Sequence, residues 1–425
     1  MNLAPLIGKV IENGLIDKVF PYFEHEEVDI RAESGWIVAN VAAGSSLDVN
    51  YLIDHGVIEK LMPLLYSSDQ KVWSQAVWAY GNLAAESIRV RNLVNAEDVV
   101  KRIVALTLEQ THILKDSSVK SSDTLRHVQS LAWTIFNCSS AKPYPDFAMA
   151  KLFLPGLSAL LECDADEETL GSTCWALSCL SDGNNERIQV VLDSGFFPSM
   201  MKIMEKDSTV NKTLRLAIIR VMGNLSSGND SQTQKVVDYG GIKILFDHIS
   251  EMYSKDIRRE AAWALSNICA GSEEQIRSVV EYPNLLSSIV KIMNCTPYHE
   301  LQKEIAWVLA NIAEKEILSF TLRLHESGSV RALLSLLNNT DMNLVLICLG
   351  AIYQIGKCLR QERRINEFED FKDNIENNGG LEQIEGLQQS ASQQVYYKAI
   401  QILEEFFEIM EEDTNDDDQD VINEG

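Results

Sequence analysis

Tryptophan recurs along this chain at a nearly constant interval, and this period constrains the fold more than any other feature. Six of the seven tryptophans are 42, 55, 42, 88 and 44 residues apart in succession: Trp36, Trp78, Trp133, Trp175, Trp263 and Trp307. The interval of 88 is two periods of 44, and its missing position falls at Arg220. The interval of 55 contains a polar insertion near residues 108–124. Such a period is typical of proteins that stack one structural unit many times.

A second marker has the same period. A glycine followed by an apolar-rich segment recurs at Gly14, Gly56, Gly195, Gly240, Gly328 and Gly379. Glycine is favoured where one helix ends and the chain turns into the next. The segments that follow place apolar residues at helical spacing, as at Ile58, Leu61 and Leu65, and strand-like alternation is nearly absent. Two or three helices per unit of this length indicate HEAT or armadillo repeats.

Units of this size cannot bury their apolar faces alone, so they stack on one another. We therefore predict one elongated all-α solenoid of about nine to ten repeats over residues 1–410. Residues 411–425 are predicted to be an acidic, disordered tail, because the last 22 residues contain eleven Asp and Glu and no Lys or Arg.

Charge and composition exclude several classes of function. The chain has 37 Lys and Arg against 62 Asp and Glu, a formal net charge of −25, and such a surface repels nucleic acid and anionic membranes. We therefore expect neither as a partner. No run of about 20 apolar residues that would predict a membrane-spanning helix and no signal peptide is recognisable in the sequence. The eight cysteines are scattered without a Cys-x-x-Cys pair, which favours reduced thiols in an intracellular protein.

No catalytic or metal-binding motif is found. The phosphate-loop, zinc-protease and dinucleotide-binding patterns are missing, and the seven histidines are not at metal-ligand spacing with cysteine. The Gly-Gly pairs at 240–241 and 379–380 are expected between helices, because no strand precedes them. We therefore expect a binding protein that is not an enzyme and needs no cofactor or metal.

In five units an asparagine follows the tryptophan by four residues. The pairs are Trp36/Asn40, Trp78/Asn82, Trp133/Asn137, Trp263/Asn267 and Trp307/Asn311. Residues i and i+4 share one face of a helix, so stacked repeats would present columns of indoles and carboxamides. Core packing explains a tryptophan. It does not explain the asparagine, which is a poor helix former and needs hydrogen-bond partners when buried.

Such a surface is suited to capture an extended basic peptide. A carboxamide pairs with both the N–H and the C=O of a main chain, and slots between indoles accept the stem and head of Lys or Arg. Acids near the pairs would attract such a peptide: Glu33, Glu86, Glu260 and Glu304. The pattern is interrupted at Trp175, which is followed by Cys179, and at Arg220. We therefore predict an N-terminal patch of three pairs and a C-terminal patch of two.

With these features the chain resembles the importin-α family, armadillo adapters that carry proteins with basic nuclear localisation signals. The similarity covers about residues 10–413 and is most specific at 174–183, 223–233 and 263–271. It implies a right-handed superhelical armadillo-repeat solenoid, basic signal-bearing cargo as partners, and shuttling between cytoplasm and nucleus. The alternative is another armadillo scaffold, of the catenin type, whose groove by resemblance prefers acidic peptides.

The resemblance also implies two signal-binding sites. The major site would comprise Trp36, Asn40, Gly44, Trp78, Asn82, Glu86, Trp133, Asn137 and Trp175. The minor site would comprise Arg220, Asn224, Gly228, Asp230, Thr233, Glu260, Trp263, Ser266, Asn267, Glu304, Trp307 and Asn311. All residues of the minor site match the family type.

The major site departs from the family type at several positions. Glu86 stands where the family has Asp, and Val49 stands where it has Thr, so a hydroxyl that accepts from a bound lysine is lost. Cys179 and Ser172 replace a Tyr and an Asp near Trp175. We expect a major site that still binds, but with lower affinity or different selectivity.

The two ends of the chain bear on further partners. The family begins with a basic segment that binds importin-β and inhibits the groove, whereas residues 1–31 here contain only Lys9, Lys18 and Arg31 as cations. We expect an uninhibited groove and no direct binding of importin-β. Residues 396–413 resemble the family's last repeat, which contacts the CAS-type export receptor.

Overall fold

The computed structural model describes residues 4–116, 121–163, 165–205 and 210–407, which are largely helical and contain no β-strand. The chain divides into two units, Met1–Ser278 and Val279–Gly425. The predicted tail at 411–425 lies outside the described residues, so it stays a prediction.

Helices α1 to α20 bring the chain to the boundary between the units, which falls within α20. They are α1 (Ala4–Glu12), α2 (Leu15–Val19), α3 (Val28–Ala42), α4 (Ser46–Asp54), α5 (Val57–Lys60), α6 (Met62–Leu65), α7 (Gln70–Glu86), α8 (Ile88–Val94), α9 (Glu97–Asp116), α10 (Ser122–Ser139), α11 (Phe147–Lys151), α12 (Leu154–Glu162), α13 (Glu167–Ser181), α14 (Asn185–Asp193), α15 (Phe196–Glu205), α16 (Lys212–Ser226), α17 (Asp230–Asp238), α18 (Gly241–His248), α19 (Lys255–Cys269) and α20 (Glu273–Val280).

The second unit continues with eight helices in its described part. They are α21 (Leu285–Cys295), α22 (His299–Ala313), α23 (Leu318–Glu326), α24 (Ser329–Leu334), α25 (Met342–Gln361), α26 (Ile365–Asn377), α27 (Gly380–Gly386) and α28 (Gln393–Phe407). Two short 3₁₀ helices, Phe20–Glu24 and Leu387–Gln389, complete the described elements.

Each repeat ends in a helix of 15 to 20 residues that packs against its equivalent in a neighbouring repeat. In the first unit α3, α7, α10, α13, α16 and α19 pack in this order, each on the next. In the second unit α22 packs on α25, and α25 packs on α28. These nine helices within the described ranges agree with the predicted nine to ten repeats. The prediction of an all-α solenoid is therefore confirmed.

The predicted glycine turns are also found. All six glycines of the second marker have φ between 60° and 79°. All six directly precede the first residue of a helix. Left-handed backbone is favourable for glycine and costly for residues with a Cβ. Asn284, with φ 60°, takes the same place before α21, which fits because asparagine tolerates this region better than most residues.

The seventh tryptophan separates core from surface. Trp73 and Trp78 both lie on α7, but Trp73 is 3% exposed and Trp78 is 46% exposed. Trp73 is out of phase with the tryptophan period, and it contributes to the core together with neighbours such as Val72 and Val77, which are fully buried. The six periodic tryptophans are therefore exposed or half-buried, whereas the one tryptophan outside the period lies in the core.

The predicted insertion at 108–124 is partly helical. α9 extends to Asp116 and α10 begins at Ser122, while residues 117–120 lie outside the described ranges. α9 has 20 residues and is longer than the other helices that lie between the stacked long helices of neighbouring repeats. The extra length explains the interval of 55 between Trp78 and Trp133.

One helix of the described residues is long and apolar enough to cross a membrane, in contrast to the expectation from the sequence. This helix is α25, and 61% of its most apolar window is buried inside the protein. It packs on both α22 and α28. A central helix of a repeat protein is apolar on several faces because it contacts neighbours on each side, which accounts for its composition.

Candidate functional site

Three of the predicted tryptophans are widely exposed. Trp36 on α3 is 47% exposed, Trp78 on α7 46% and Trp307 on α22 41%. The other three are half-buried: Trp133 on α10, Trp175 on α13 and Trp263 on α19. Large apolar rings left accessible at regular intervals are typical of an interaction surface.

Two of the half-buried indoles pack against a glycine of the preceding repeat. A Cβ built on Gly81 would lie 2.4 Å from Cζ3 of Trp133, and one built on Gly223 would lie 2.1 Å from Cζ3 of Trp263. Real Cβ atoms do not make contacts this short, so only glycine lets the next indole approach. Neither glycine is among the residues that the tryptophan period singles out, although a Gly-Asn dipeptide at 81–82 and 223–224 was an available signal.

Two of the three asparagines of the N-terminal patch connect adjacent repeats. Asn82 donates through Nδ2 to the carbonyl of Ala39 at 2.9 Å. Asn137 donates through Nδ2 to the carbonyl of Gly81 at 3.2 Å. Asn40, in the first pair, donates to the carbonyl of Trp36 in its own helix at 2.8 Å. The carboxamide therefore supports the stacking of the repeats, a role that the spacing alone did not reveal.

The same bond recurs further along the first unit. Asn267 donates through Nδ2 to the carbonyl of Gly223 at 3.1 Å. Asn224 donates to the carbonyl of Ser178 at 2.8 Å and to Oγ of Ser181 at 3.1 Å. Both of its N–H groups are thus used within the protein.

The donor and acceptor groups of each carboxamide that are not used within the protein determine what it can bind. In Asn82, Asn137 and Asn267 one N–H is used, so the second N–H and Oδ1 are left. No group in the described ranges donates to these three oxygens. One donor and one acceptor at the same site match the C=O and N–H of an extended main chain.

The acids of the N-terminal patch have no cationic partner within the described residues. Glu33 on α3 is exposed and Glu86 at the end of α7 is half-buried. Neither forms an ion pair with the chain's own lysines or arginines there. Their charge is therefore available to a basic ligand.

The loop between α3 and α4 is closed by its own hydrogen bonds. Asp48 accepts from the backbone N–H of Ser45 at 2.8 Å and from its hydroxyl at 2.7 Å, which caps α4. A Cβ on Gly44 would lie 2.6 Å from Oδ2 of Asp48. Val49, where the resemblance implies a lost hydroxyl, is fully buried and contributes to the core.

Near the interruption of the pattern at Trp175 and Cys179, the structure has an ion pair, a hydrogen bond and a buried thiol. Lys142 forms an ion pair with Oδ2 of Asp182 at 2.8 Å, and the hydroxyl of Tyr144 donates to the same oxygen at 3.0 Å. Cys179 is buried, and burial raises the pKa of its thiol to about 11. Its thiol is therefore protonated and unreactive at neutral pH.

The acid beside Trp263 is already occupied. Glu260 on α19 is 4% exposed, and its Oε1 lies 2.7 Å from Nη2 of Arg220 and 2.6 Å from Nη2 of Arg259. The guanidinium carbon of Arg220 lies 5.4 Å from the ring centroid of Trp263. Cation, ring and acid form one cluster between α16 and α19.

The remaining residues of this region mostly serve local structure. Thr233 is buried and donates to the carbonyl of Ser226 at 3.1 Å, and Ser266 donates to the carbonyl of Trp263 at 2.8 Å. Gly228 precedes the capping box of α17, where a Cβ would lie 2.2 Å from Oε1 of Gln232. By contrast, the side chain of Asp230, in the first turn of α17, is exposed.

The last predicted residues belong to the second unit. Glu304, Trp307 and Asn311 all lie on α22. Their spacing of three and four residues places them on one face of this helix. Glu304 and Asn311 are half-buried beside the exposed Trp307.

The side chains described here form no metal site. Among the described residues, no group of three His, Cys, Asp or Glu is placed to hold a metal ion. All eight cysteines are free thiols, and only Cys295 is exposed.

Two family models match parts of the chain. The armadillo/β-catenin-like repeat matches residues 47–85 and 229–270. The atypical armadillo repeat matches residues 369–423. They agree with the repeats seen in both units.

One relative and two solved structures extend the comparison. Importin subunit alpha-1a of Oryza sativa subsp. japonica is 31% identical over 414 residues, which cover 97% of this chain and 75% of that protein. The crystal structure of an engineered protein has a TM-score of 0.78 at 23% identity, with 94% of this chain and 90% of that chain covered. A designed armadillo repeat protein in complex with the peptide (KR)4 has a TM-score of 0.51 at 28% identity, with 60% and 99% covered.

Proposed function

This chain belongs to the importin-α family, and we propose that it is a nuclear import adapter that binds basic nuclear localisation signals. The signal would lie extended along the indoles and carboxamides of the armadillo repeats. The observation that carries the proposal is the recurring pair of an indole and an amide with one unused donor and one unused acceptor, at Trp78/Asn82, where the indole is exposed, and at Trp133/Asn137, where it is half-buried.

Three observations favour a basic ligand over an acidic one. The chain has a formal net charge of −25, and Glu33 and Glu86 beside the N-terminal pairs have no cationic partner in the described part of the chain. Each Lys or Arg over an indole contributes about 0.5–2 kcal/mol. The designed armadillo neighbour at 28% identity was solved with the basic peptide (KR)4.

We propose the N-terminal patch as the principal site. Its residues are Trp36, Asn40, Gly44, Trp78, Asn82, Glu86, Trp133, Asn137 and, beyond them, Trp175. Further contacts would come from the predicted minor-site residues, those on and next to α16, α17 and α19 in the first unit and those on α22 in the second. Glu86 is expected to change the affinity or selectivity of the principal site relative to the family, whereas Val49 is fully buried.

Further partners follow from the family. We propose that the chain shuttles between cytoplasm and nucleus and that its C-terminal repeat contacts a CAS-type export receptor. Residues 1–31 carry three cations and no basic run, so we propose that they do not recruit importin-β.

Fluorescence polarisation of a labelled peptide with one Lys/Arg-rich cluster tests the proposal. The double variant Trp78→Ala/Asn82→Ala is expected to weaken binding at least thirtyfold, because it removes one indole and one main-chain contact. Tyr397→Ala, which removes an aromatic ring 59% exposed on α28, is the matched control and is expected to leave binding unchanged.

Two results would contradict the proposal. One is no binding of the basic peptide by the unmutated chain. The other is tighter binding of an acidic peptide of equal length, which would identify a catenin-type scaffold. Binding measured at two salt concentrations is expected to weaken as salt rises, since exposed charges are screened.

A further inference from the structure

Asp48, in the first turn of α4, is a buried carboxylate whose charge is not balanced by the described part of the chain. The residue is 8% exposed, and its Oδ2 accepts from the backbone N–H and the hydroxyl of Ser45. Its Oδ1 accepts from no described residue but is not fully enclosed. No lysine, arginine or histidine in the described ranges forms an ion pair with it. Buried charges are normally paired, so this carboxylate is suited to a cation from outside the chain.

The same position in two other repeats shows that the hydrogen bonds of the helix cap do not require a charge. It is occupied by Gln232 in α17 and Gln275 in α20, and each Oε1 accepts from the backbone N–H three residues earlier, as Oδ2 of Asp48 does. Their Nε2 groups donate to carbonyls of the preceding repeat, those of Asn185 and Asp230, at 2.9 and 2.7 Å. Asp48 has no such donor. In α4 this position therefore presents a charge, whereas in α17 and α20 it connects two repeats.

The turn before α4 provides a second acceptor next to this carboxylate. The carbonyl of Gly44 accepts no hydrogen bond from the residues that the structure describes. A Cβ built on Gly44 would lie 2.6 Å from Oδ2 of Asp48, so only glycine lets the carboxylate lie against the turn. Val49, the next residue along α4, is fully buried and has no polar group in its side chain. The acceptors of this turn are therefore the carbonyl of Gly44 and the carboxylate of Asp48.

Glu86, at the end of α7, comes to the same level as this turn. α3 and α7 pack side by side, and a Cβ built on Gly35 would lie 3.0 Å from Cβ of Gln75. Further along both helices Asn82 donates to the carbonyl of Ala39, so the two helices run in the same direction. Glu86 is one helical turn beyond Asn82, and the turn before α4 is about one helical turn beyond Ala39. A second carboxylate without a cationic partner in the described ranges therefore lies beside the first.

We propose that Asp48 is a further cation-binding residue of the N-terminal patch. Its carboxylate, the carbonyl of Gly44 and the carboxylate of Glu86 together bind the charged head of one Lys or Arg of a bound signal. This inference rests on the proposed function and adds a residue that determines its specificity. Hydrogen bonds from a charged donor to a carboxylate are stronger than neutral ones, and Asp48 supplies an acceptor that the buried Val49 does not.

Fluorescence polarisation with a set of labelled peptides tests the inference. The parent peptide has one Lys/Arg-rich cluster, and in the others each basic residue in turn is replaced by Ala. Asp48→Asn keeps an acceptor oxygen for the cap of α4 and removes the charge. We expect it to weaken the parent peptide about tenfold, as for close charge pairs at an interface. With one of the Ala-substituted peptides the loss is expected to fall below about twofold, because the partner of Asp48 is then missing.

Asp69→Asn is the matched control. Asp69 caps α7 by accepting from the backbone N–H of Lys71, so this variant removes the same charge from another helix cap, at the end of α7 opposite to Glu86. We expect it to weaken every peptide less than about twofold. Thermal unfolding checks that both variants fold. Asp48→Gln, which introduces the residue type of the α17 and α20 caps, is expected to show the same loss as Asp48→Asn and replaces it if that variant is unfolded.

The possible results are distinct. Equal losses with Asp48→Asn and Asp69→Asn would overturn the inference, since they would reflect net charge alone. A loss with Asp48→Asn that is the same for every peptide would also overturn it, because the substitution would then act through the cap of α4 and not through a contact with one basic residue. Unchanged binding by Asp48→Asn would overturn the inference and leave the proposed function in place. No binding of the parent peptide by the unmutated chain would overturn the proposed function itself.

Discussion

The N-terminal patch and the region around Trp263 carry the same pair of residues in different surroundings. At Trp36 and Trp78 the indole is exposed and the neighbouring acids, Glu33 and Glu86, are unpaired within the described residues. At Trp263 the indole is covered by Arg220, and Glu260 is bound to two guanidiniums. The difference teaches that a repeated sequence motif marks equivalent positions, whereas the neighbouring side chains determine which positions are open to a ligand.

The largest expected effect concerns the two acids. Glu260→Gln is expected to lower the free energy of unfolding by about 3 kcal/mol, because it leaves two guanidiniums without their buried carboxylate. Glu86→Gln is the control and is expected to change it by less than about 0.5 kcal/mol, as for a surface substitution. Urea unfolding followed by tryptophan fluorescence measures both. Equal effects would contradict the distinction between an occupied and an open acid.

The glycines beneath the indoles provide the next comparison. Gly81→Ala is expected to lower the free energy of unfolding by about 2 kcal/mol, within the range for overpacking, because the new Cβ would clash with Trp133. Gly350→Ala is the control: it lies inside α25 with no atom within 4 Å of the new Cβ. Alanine is favoured over glycine inside a helix, so this variant is expected to be slightly stabilised. Similar unfolding midpoints for Gly81→Ala and Gly350→Ala would show that the indole of Trp133 moves to accommodate the new Cβ without a cost in stability.

Removing single indoles tests the comparison in binding. Trp36→Ala is expected to weaken a peptide with one basic cluster about tenfold, equal to about 1.4 kcal/mol. Trp263→Ala is expected to change it less than twofold, since Arg220 and not the ligand covers this ring. Fluorescence polarisation measures both variants side by side. A larger loss with Trp263→Ala would move the principal site away from the N-terminal patch.

The smallest expected effect concerns selectivity within the N-terminal patch. Glu86→Asp restores the residue type of the family with a carboxylate one methylene shorter, and we expect a two- to threefold change in affinity for the same peptide. Val49→Thr would not be an equivalent restoration, because position 49 is fully buried and an unpaired hydroxyl there destabilises the fold. An unchanged affinity with Glu86→Asp would mean that this acid does not contact the ligand.

Much of the fold could be predicted because repetition amplifies weak signals. A single tryptophan or glycine indicates little, but six of each at one period define the repeat and its turns, and the period distinguishes Trp78 from Trp73 on the same helix. The insertion was located by the same period. The conformation of the insertion could not be predicted, because a polar segment near 108–124 is typical of a loop. Tertiary packing instead lets α9 continue to Asp116.

The candidate site was predicted less completely. The spacing of Trp and Asn places both on one helix face, but it cannot say that Asn82 and Asn137 also bond to the preceding repeat. Those partners are carbonyls 43 and 56 residues earlier, and backbone carbonyls leave no mark in a sequence. The roles of Gly81 and Gly223 could not be predicted for a similar reason, because the indole that excludes a side chain there belongs to the next repeat.

The sequence by itself determined the all-α repeat architecture, the positions of its turns and the register of the indole and carboxamide columns, because these depend on local helical geometry and on periodicity. Only the tertiary structure decided which members of those columns are accessible. Arg220, Glu260 and Trp263 come together because α16 and α19 pack side by side. Ion pairs and ring contacts act over a few ångströms, and which side chains lie within that distance is known only once the repeats are stacked.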